Sequence, residues 1–311
     1  MWSFSDGPRA SVRQMNRPMP ELEGVSHEFV DVKGLRIHVA TAGAATAEPL
    51  ILLHGWPQHW WAWRRLIGPL AEHYRVICPD LPGFGWSAAP PGRYLKAELA
   101  DDIIALADAL GIERFRLAGH DWGGLVGFHI CRKQPERVSH YAAAGISHLW
   151  VRVEDAGIGD RLGLLARLWY QFLIASPVLG RLVIQRLPAF TKQVLRMGAA
   201  RPGTFSEADL ETFAAQWSEP DRSRACVALY RSFLTREFSE IAKGAFRDDV
   251  VGQPVLILVG DRDPVIRANS LAGAEHNLPN AEIRELPGVG HWVPEEAPEQ
   301  MLASMLALYE R

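Results

Sequence analysis

Leu117-Ala118-Gly119-His120-Asp121-Trp122-Gly123-Gly124 is a short apolar run that breaks into glycines around a single carboxylate. Phe115 to Ala118 reads as the end of a buried strand, and a helix is expected to begin near Leu125. A Gly-x-nucleophile-x-Gly turn between strand and helix is a nucleophile elbow. Small residues two before and two after the centre let the chain turn tightly, so the central side chain stands out at the carboxyl end of a sheet. There it faces the N-terminus of the next helix, whose partial positive charge favours an anion. A lone Asp at a helix start is ordinarily a cap, but four flanking residues that fit the elbow favour a nucleophile, and here that residue is Asp121 rather than Ser.

The exchange changes the reaction class. A carboxylate is already ionised at neutral pH and needs no base to attack, yet it is a poor nucleophile toward acyl carbon; it suits displacement at saturated carbon. The product is an alkyl ester of Asp121, which water must then break. The group to activate that water is a neutral imidazole held by a carboxylate. Gly288-Val289-Gly290-His291-Trp292 and Gly260-Asp261-Arg262-Asp263-Pro264 supply the pair in the order nucleophile, acid, histidine. Asp263 is preferred to its competitor Asp261 because it lies deeper in the loop, before Pro264. Upstream, His54-Gly55-Trp56-Pro57-Gln58 follows a strand; Gly55 permits an unusual backbone angle and Pro57 stiffens the loop. Such a loop presents the Trp56 N–H inward, and with the Trp122 N–H it makes an oxyanion hole, worth about 3 kcal/mol per donor. A plain strand-ending turn is the alternative.

Outward from these motifs, His27 to Val32 and Leu35 to Ala40 flank Lys33-Gly34 as a hairpin. Apolar runs at Leu50-Leu53, Tyr74-Cys78, Phe115-Ala118, Tyr141-Ala144 and Val255-Val259 read as buried strands, and Ala281-Leu286 follows as the last strand. Leu95 to Leu110 carries Leu99, Ile103, Leu106 and Leu110 at helical spacing with Gly111 as its C-cap, and a terminal helix is expected from about Pro298. Alternating buried strands and amphipathic helices imply an α/β fold with a mostly parallel sheet covered on both faces. The rhythm stops near Ser147 and resumes at Pro254; between them, aromatic and leucine residues fall at helical spacing with breaks at Pro177, Gly180, Pro188 and Pro202-Gly203. The expected division is a core of 1–146 and 247–311, with 1–20 as a flexible or loosely docked tail, and a helical cap over 147–246.

The 311 residues are 48% hydrophobic, enough for a large core. A net charge of −3, with no long run of either sign, argues against nucleic acid or an anionic membrane as partner. Cys78, Cys131 and Cys226 are widely spaced, so they read as reduced thiols of a cytoplasmic protein, without a zinc site or disulfide framework. The N-terminus lacks the apolar stretch of a secretory signal, and Leu164 to Leu187, the greasiest segment, is broken by Arg167, Arg181, Arg186 and Pro177. No metal cluster, phosphate loop or dinucleotide fingerprint occurs, so no cofactor is expected.

His54-Gly55-Trp56-Pro57, Asp80-Leu81-Pro82-Gly83-Phe84-Gly85-Trp86-Ser87, Gly119-His120-Asp121-Trp122-Gly123-Gly124 and Gly290-His291-Trp292 together resemble the epoxide hydrolases of the α/β-hydrolase superfamily. The resemblance runs from about His27 to the end, and implies an eight-stranded sheet with a helical cap. It also implies two cap tyrosines that donate to the epoxide oxygen; Tyr170 in Leu168-Trp169-Tyr170-Gln171-Phe172 and Tyr230 in Leu229-Tyr230-Arg231 match those segments loosely. With Trp56 and Trp122 they would bind a small apolar epoxide, and water would complete its conversion to a diol. Haloalkane and haloacid dehalogenases are similar in core and nucleophile. Haloalkane dehalogenases usually carry Asn where this chain has Trp56, and fluoroacetate-type enzymes typically place Arg where it has Trp122, which disfavours a small anionic substrate. A non-catalytic binder would be expected to show a broken triad, and a serine hydrolase would need a second glycine that Gly85-Trp86-Ser87-Ala88-Ala89 and Gly145-Ile146-Ser147-His148-Leu149 lack. Trp60, Trp61, Trp63, Trp150, Trp169 and Phe172 are candidates either for the cavity wall or for the core, and an apolar cap surface can serve a homodimer.

Overall fold

Leu50, Ile51, Leu52 and Leu53 are all buried, and alternate members of the run face different cores: Ile51 and Leu53 one, Leu50 and Leu52 the other. The same alternation holds for Val255, Ile257 and Val259 against Leu256 and Leu258. A strand apolar at every position is therefore covered on both sides. The computed structural model describes residues 17–92, 94–150, 169–271 and 273–311, so 1–16 of the expected tail and 151–168 of the expected cap lie outside the described residues.

Eight strands form one sheet: β1 (Ser26–Val32), β2 (Leu35–Ala42), β3 (Pro49–Leu53), β4 (Arg75–Pro79), β5 (Phe115–His120), β6 (Val138–Ala144), β7 (Val255–Gly260) and β8 (Ala281–Leu286). Their spatial order is β1-β2-β4-β3-β5-β6-β7-β8, with β1/β2 and β2/β4 antiparallel and the rest parallel. The β1–β2 hairpin turns on Lys33 and Gly34, both at positive φ, as a tight two-residue connection requires.

The helices are α1 (Arg64–Ala71), α2 (Lys96–Ala109), α3 (Trp122–Lys133), α4 (Trp169–Ala175), α5 (Leu179–Arg186), α6 (Pro188–Gly198), α7 (Glu207–Ala215), α8 (Pro220–Ser232), α9 (Phe238–Ala242), α10 (Val293–Glu296) and α11 (Pro298–Tyr309), with a π-helical turn at Phe233–Glu237 between α8 and α9. Helices α2 and α3 cover one face of the sheet through Leu99, Ile103, Leu106, Leu125 and Phe128, while α1 and α11 cover the other through Leu66, Leu70, Met301 and Met305. Each such side chain contributes roughly 1.5–3 kcal/mol by leaving water. Between β6 and β7 the described residues form helices and no strand. The expected break at Pro188 falls between α5 and α6, with the proline at the first helical position, whereas Gly180 lies inside α5 and does not interrupt it. Phe172, Val178, Leu179 and Leu182 on α4, α5 and the turn between them are exposed.

Where the expected tail is described, from Arg17 on, it is docked, the second of the two forms the sequence allowed. The Arg17 guanidinium lies 4.1 Å from the centre of the Trp86 ring and 3.2 Å from the Glu219 carboxylate. No helix among the described residues is long and apolar enough to cross a membrane.

Helix α3 begins at Trp122, three residues earlier than expected, because Asp121 itself turns the chain: φ 51° and ψ −126° swing the backbone from strand to helix in a single residue. The turn is tight enough that a Cβ on Gly119 would stand 2.5 Å from the Gly123 carbonyl oxygen, and one on Gly123 would drive into the Leu53 and His54 carbonyls. Gly123→Ala is accordingly expected to destabilise the protein by about 2–4 kcal/mol, read as a lowered thermal midpoint.

Candidate active site

The parallel strands end in register: Leu53 pairs with Gly119, His120 with Ala144, and Gly260 with Leu286. Loops that are far apart in sequence therefore leave the sheet at one edge, the usual place for a site in an open α/β sheet. Asp121 arrives after β5, the His54–Gln58 loop after β3, Asp263 after β7 and His291 after β8.

One carboxylate oxygen of Asp121, Oδ1, accepts the Trp56 backbone N–H at 2.7 Å. The other, Oδ2, lies 3.5 Å from His291 Nε2, and His291 Nδ1 is 2.9 Å from Asp263 Oδ2. Asp263 Oδ1 in turn accepts the Val265 and Ile266 N–H groups at 2.7 and 3.0 Å. These bonds and the neighbouring imidazole hold the Asp263 carboxyl below the usual range against the opposing effect of burial. Its competitor Asp261 accepts the Gly288 N–H at 2.7 Å instead. Gly55 does not adopt a positive φ; its use is space, since a Cβ there would lie 2.5 Å from the Asp121 Cβ.

Burial alone would lower the proton affinity of His291, but Asp263 and then Asp121 outweigh it and raise the pKa to about 10. At neutral pH the imidazole is thus a cation between two anions. His120 behaves in the opposite way: burial pushes it down to about 4, leaving a neutral ring whose Nε2 sits 2.9 Å from the His291 carbonyl oxygen. That distance fits donation by Nε2–H. His54 is likewise kept neutral by burial and accepts the Leu81 N–H at 3.0 Å, bracing the loop that carries Trp56.

Above the carboxylate stand the aromatic residues singled out from sequence. The Trp56 ring centre is 6.3 Å from that of Tyr170 and 5.4 Å from that of Tyr230, while Trp122 is 5.5 Å from Tyr230 and the two tyrosines are 6.4 Å apart. Burial raises the pKa of both hydroxyls, and the Asp121 carboxylate raises it further; at neutral pH both keep their protons. The other candidates separate from this group. Trp60 and Trp63 fill the core, Trp61 donates to Asp209 at 3.0 Å, Trp150 to the Phe246 carbonyl at 2.6 Å, and Trp169 and Phe172 are each 49% exposed.

Several residues that support the site gave no signal in the sequence. Gln216 accepts the Gly85 N–H and donates to the Pro57 carbonyl, both at 2.8 Å. The His291 N–H donates to the Gly198 carbonyl at 2.8 Å, and Glu296 accepts N–H groups from Gly290, Trp292 and Ala200. Among the described residues no group of three or more His, Cys, Asp or Glu side chains is arranged to hold a metal ion.

A doubly covered sheet of this order, with a carboxylate on the elbow and a histidine–aspartate pair on the last two loops, defines an α/β hydrolase. The chain belongs to the α/β-hydrolase-fold family, whose sequence profile it matches over residues 48–298. It is similar to the soluble epoxide hydrolase of Corynebacterium sp. (28% identity, 92% of this chain and 97% of the relative) and to the fluoroacetate dehalogenase of a Burkholderia species (30% identity, 89% and 91%). Among solved structures, Cfl2 of Burkholderia cenocepacia superposes with a TM-score of 0.82 at 28% identity over 94% of this chain and 98% of that one. The chain thus stands among epoxide-hydrolase-like and dehalogenase-like members of the family.

The imidazole's proton affinity rests on two anions, so removing one lowers it. Asp263→Asn is expected to drop the His291 pKa by one unit or more, measured by NMR titration of the ring, whereas Asp261→Asn leaves it within a few tenths.

Proposed function

We propose that the protein hydrolyses small apolar epoxides to vicinal diols through a covalent ester on Asp121, with residues 147–246 as a cap over a core of 1–146 and 247–311. The observation that carries this reading is the packing of Tyr170 and Tyr230 against Trp56 and Trp122 beside the Asp121 carboxylate, where burial favours the protonated phenols. An epoxide oxygen leaves poorly unless a donor meets it, and a carboxylate attacks its carbon without prior deprotonation.

Asp121 Oδ2 attacks a ring carbon, the carbon–oxygen bond breaks toward the tyrosines, and the alkoxide takes a tyrosine proton that the His291 imidazolium replaces. Two changes then act together. The imidazole has lost its proton, and Asp121, now a neutral ester, no longer raises its affinity for another. Neutral His291, oriented by Asp263, takes a proton from water as the hydroxide oxygen adds to the ester carbon. The oxyanion forms on Oδ1, where the Trp56 N–H already donates, with the Trp122 N–H as the second donor. Collapse releases the diol and restores carboxylate and imidazolium, so one water is consumed per turnover and no cofactor is used. The three cysteines are buried and free, which suits a cytoplasmic enzyme.

Carbon–halogen cleavage by the same Asp121 is the second reading. The buried Trp122 indole N–H makes no well-formed hydrogen bond among the described residues, a donor that suits a departing halide. A haloacid is the weaker form of this reading, because Trp122 follows the nucleophile where an arginine would hold the substrate carboxylate.

Asp121→Ala is expected to abolish turnover, while His291→Gln lets the ester form and traps it, seen as an intact-mass increase equal to the substrate. Styrene oxide and a bromoalkane, assayed for diol and bromide respectively, separate the two readings; normal turnover by His291→Gln would overturn both. In the wild type, kcat/KM is expected to hold through neutral pH and fall as pH rises through about 10, where the imidazolium loses its proton.

A further inference from the structure

Lys96 and Glu237, 141 residues apart, meet in a buried ion pair that the scheme above does not use. The Lys96 ammonium lies 2.8 Å from Glu237 Oε2 and 3.2 Å from the Leu229 carbonyl oxygen. It also stands 4.2 Å from the centre of the Trp122 ring and 5.0 Å from that of Phe233. The other Glu237 oxygen accepts the Lys96 backbone N–H at 2.6 Å, doing for α2 what its own N-cap residue, Leu95, does not.

As a source of stability the arrangement is a poor choice. Two charges taken out of water give back little more than they cost, and an apolar pair of similar volume often serves as well or better; a serine would cap α2 without burying any charge. What the ion pair provides that those substitutes lack is a cation against the face of an indole. Trp122 directly follows Asp121 in sequence and packs edge-on against Tyr230 and Phe233, at 5.5 and 4.7 Å between ring centres. Its buried Nε1–H has the Tyr230 hydroxyl in front of it and no well-formed acceptor. A cation over the ring draws on its π density, which both fixes the ring and makes the N–H a stronger donor.

We propose that Lys96, held by Glu237, is a positioning residue for the bond-breaking step: through Trp122 it strengthens and aims the indole N–H, and with it the neighbouring Tyr230, toward the atom that leaves the attacked carbon. The proposal rests on Asp121 as the nucleophile. It assigns Lys96 to the first half of the reaction alone. The departing oxygen or halogen carries charge only there, whereas in ester hydrolysis the charge develops on Asp121 Oδ1, beside the backbone N–H groups of Trp56 and Trp122, which a cation over the indole ring does not reach.

The test is single-turnover kinetics with styrene oxide and a bromoalkane, following Asp121 alkylation and ester hydrolysis separately by quenched-flow mass spectrometry. The comparison is wild type against Lys96→Met/Glu237→Gln, which removes both charges together and leaves neither buried alone. Lys96→Gln/Glu237→Gln, a hydrogen-bonded neutral pair, stands in if the first does not fold. Alkylation is expected to fall roughly tenfold or more, hydrolysis to stay within about threefold, and the Trp122 indole N–H resonance, assigned by its loss in Trp122→Phe, to move. Equal slowing of both steps marks the pair as structural and overturns the proposal, as does unchanged alkylation or an unmoved resonance. A wild type that labels Asp121 with neither probe defeats the reading of the site itself, an outcome distinct from a variant that labels as fast as wild type.

Discussion

A residue with a side chain adopts φ near 51° at a cost of about 1–3 kcal/mol, and Asp121 is held there by its surroundings. Its N–H donates to the Ala144 carbonyl at 3.1 Å, and its own carbonyl accepts the Gly124 N–H at 2.8 Å. The missing side chains at Gly119 and Gly123 let the turn press against its neighbours. This one strained turn brings the carboxylate to the sheet edge within reach of the Trp56 N–H. The rest of the site is arranged about that position, since parallel strands in register deliver the other loops to the same edge.

Charge gives the arrangement its direction. His291 between Asp263 and Asp121 is most stable as a cation, so the resting site is a carboxylate–imidazolium–carboxylate row in a largely buried place. In the proposed reaction, neutralising one carboxylate by esterification would weaken the imidazole's hold on its proton and make the same ring fit to act as a base. A serine elbow has no such coupling, because its central group is neutral before attack. Tyr170 and Tyr230, kept protonated by burial and by the nearby carboxylate, would in that proposal meet an anion that appears later, on the departing atom.

The helical insertion is joined to the core by polar contacts at the loops that matter. Gln216 ties Pro57 to Gly85, Gly198 receives the His291 N–H, Glu296 reaches Ala200, and Glu237 meets Lys96. Each of these bonds satisfies a backbone or charged group that would otherwise be buried unpaired, at about 1–3 kcal/mol apiece. The insertion therefore fixes the backbone of the site from above, as the sheet does from below. Lys96 and Glu237 extend this to the indole beside the carboxylate.

Local pattern alone yielded the hairpin, the buried strands and α2: alternation and the 3.6-residue repeat show which side faces water, and an unbroken apolar run shows that neither side does. The glycines around Asp121 yielded the elbow for the same local reason, though not the start of α3, which depends on the single-residue swing at position 121. From the sequence Gly55 suggests freedom of backbone angle; what it gives in the fold is room, and that is visible only once the Asp121 side chain lies against it. The place of Asp263 deeper in its loop, before Pro264, favours it over Asp261, but the turn of its carboxylate toward the imidazole is set only by packing, and aromatic spacing in the insertion does not tell Tyr170 and Tyr230 from Trp169 and Phe172. Those choices, and the contacts of Gln216, Glu296 and the Lys96–Glu237 pair, belong to the tertiary structure, because a side chain's partner across more than a hundred residues is set by how whole elements pack and not by its neighbours in sequence.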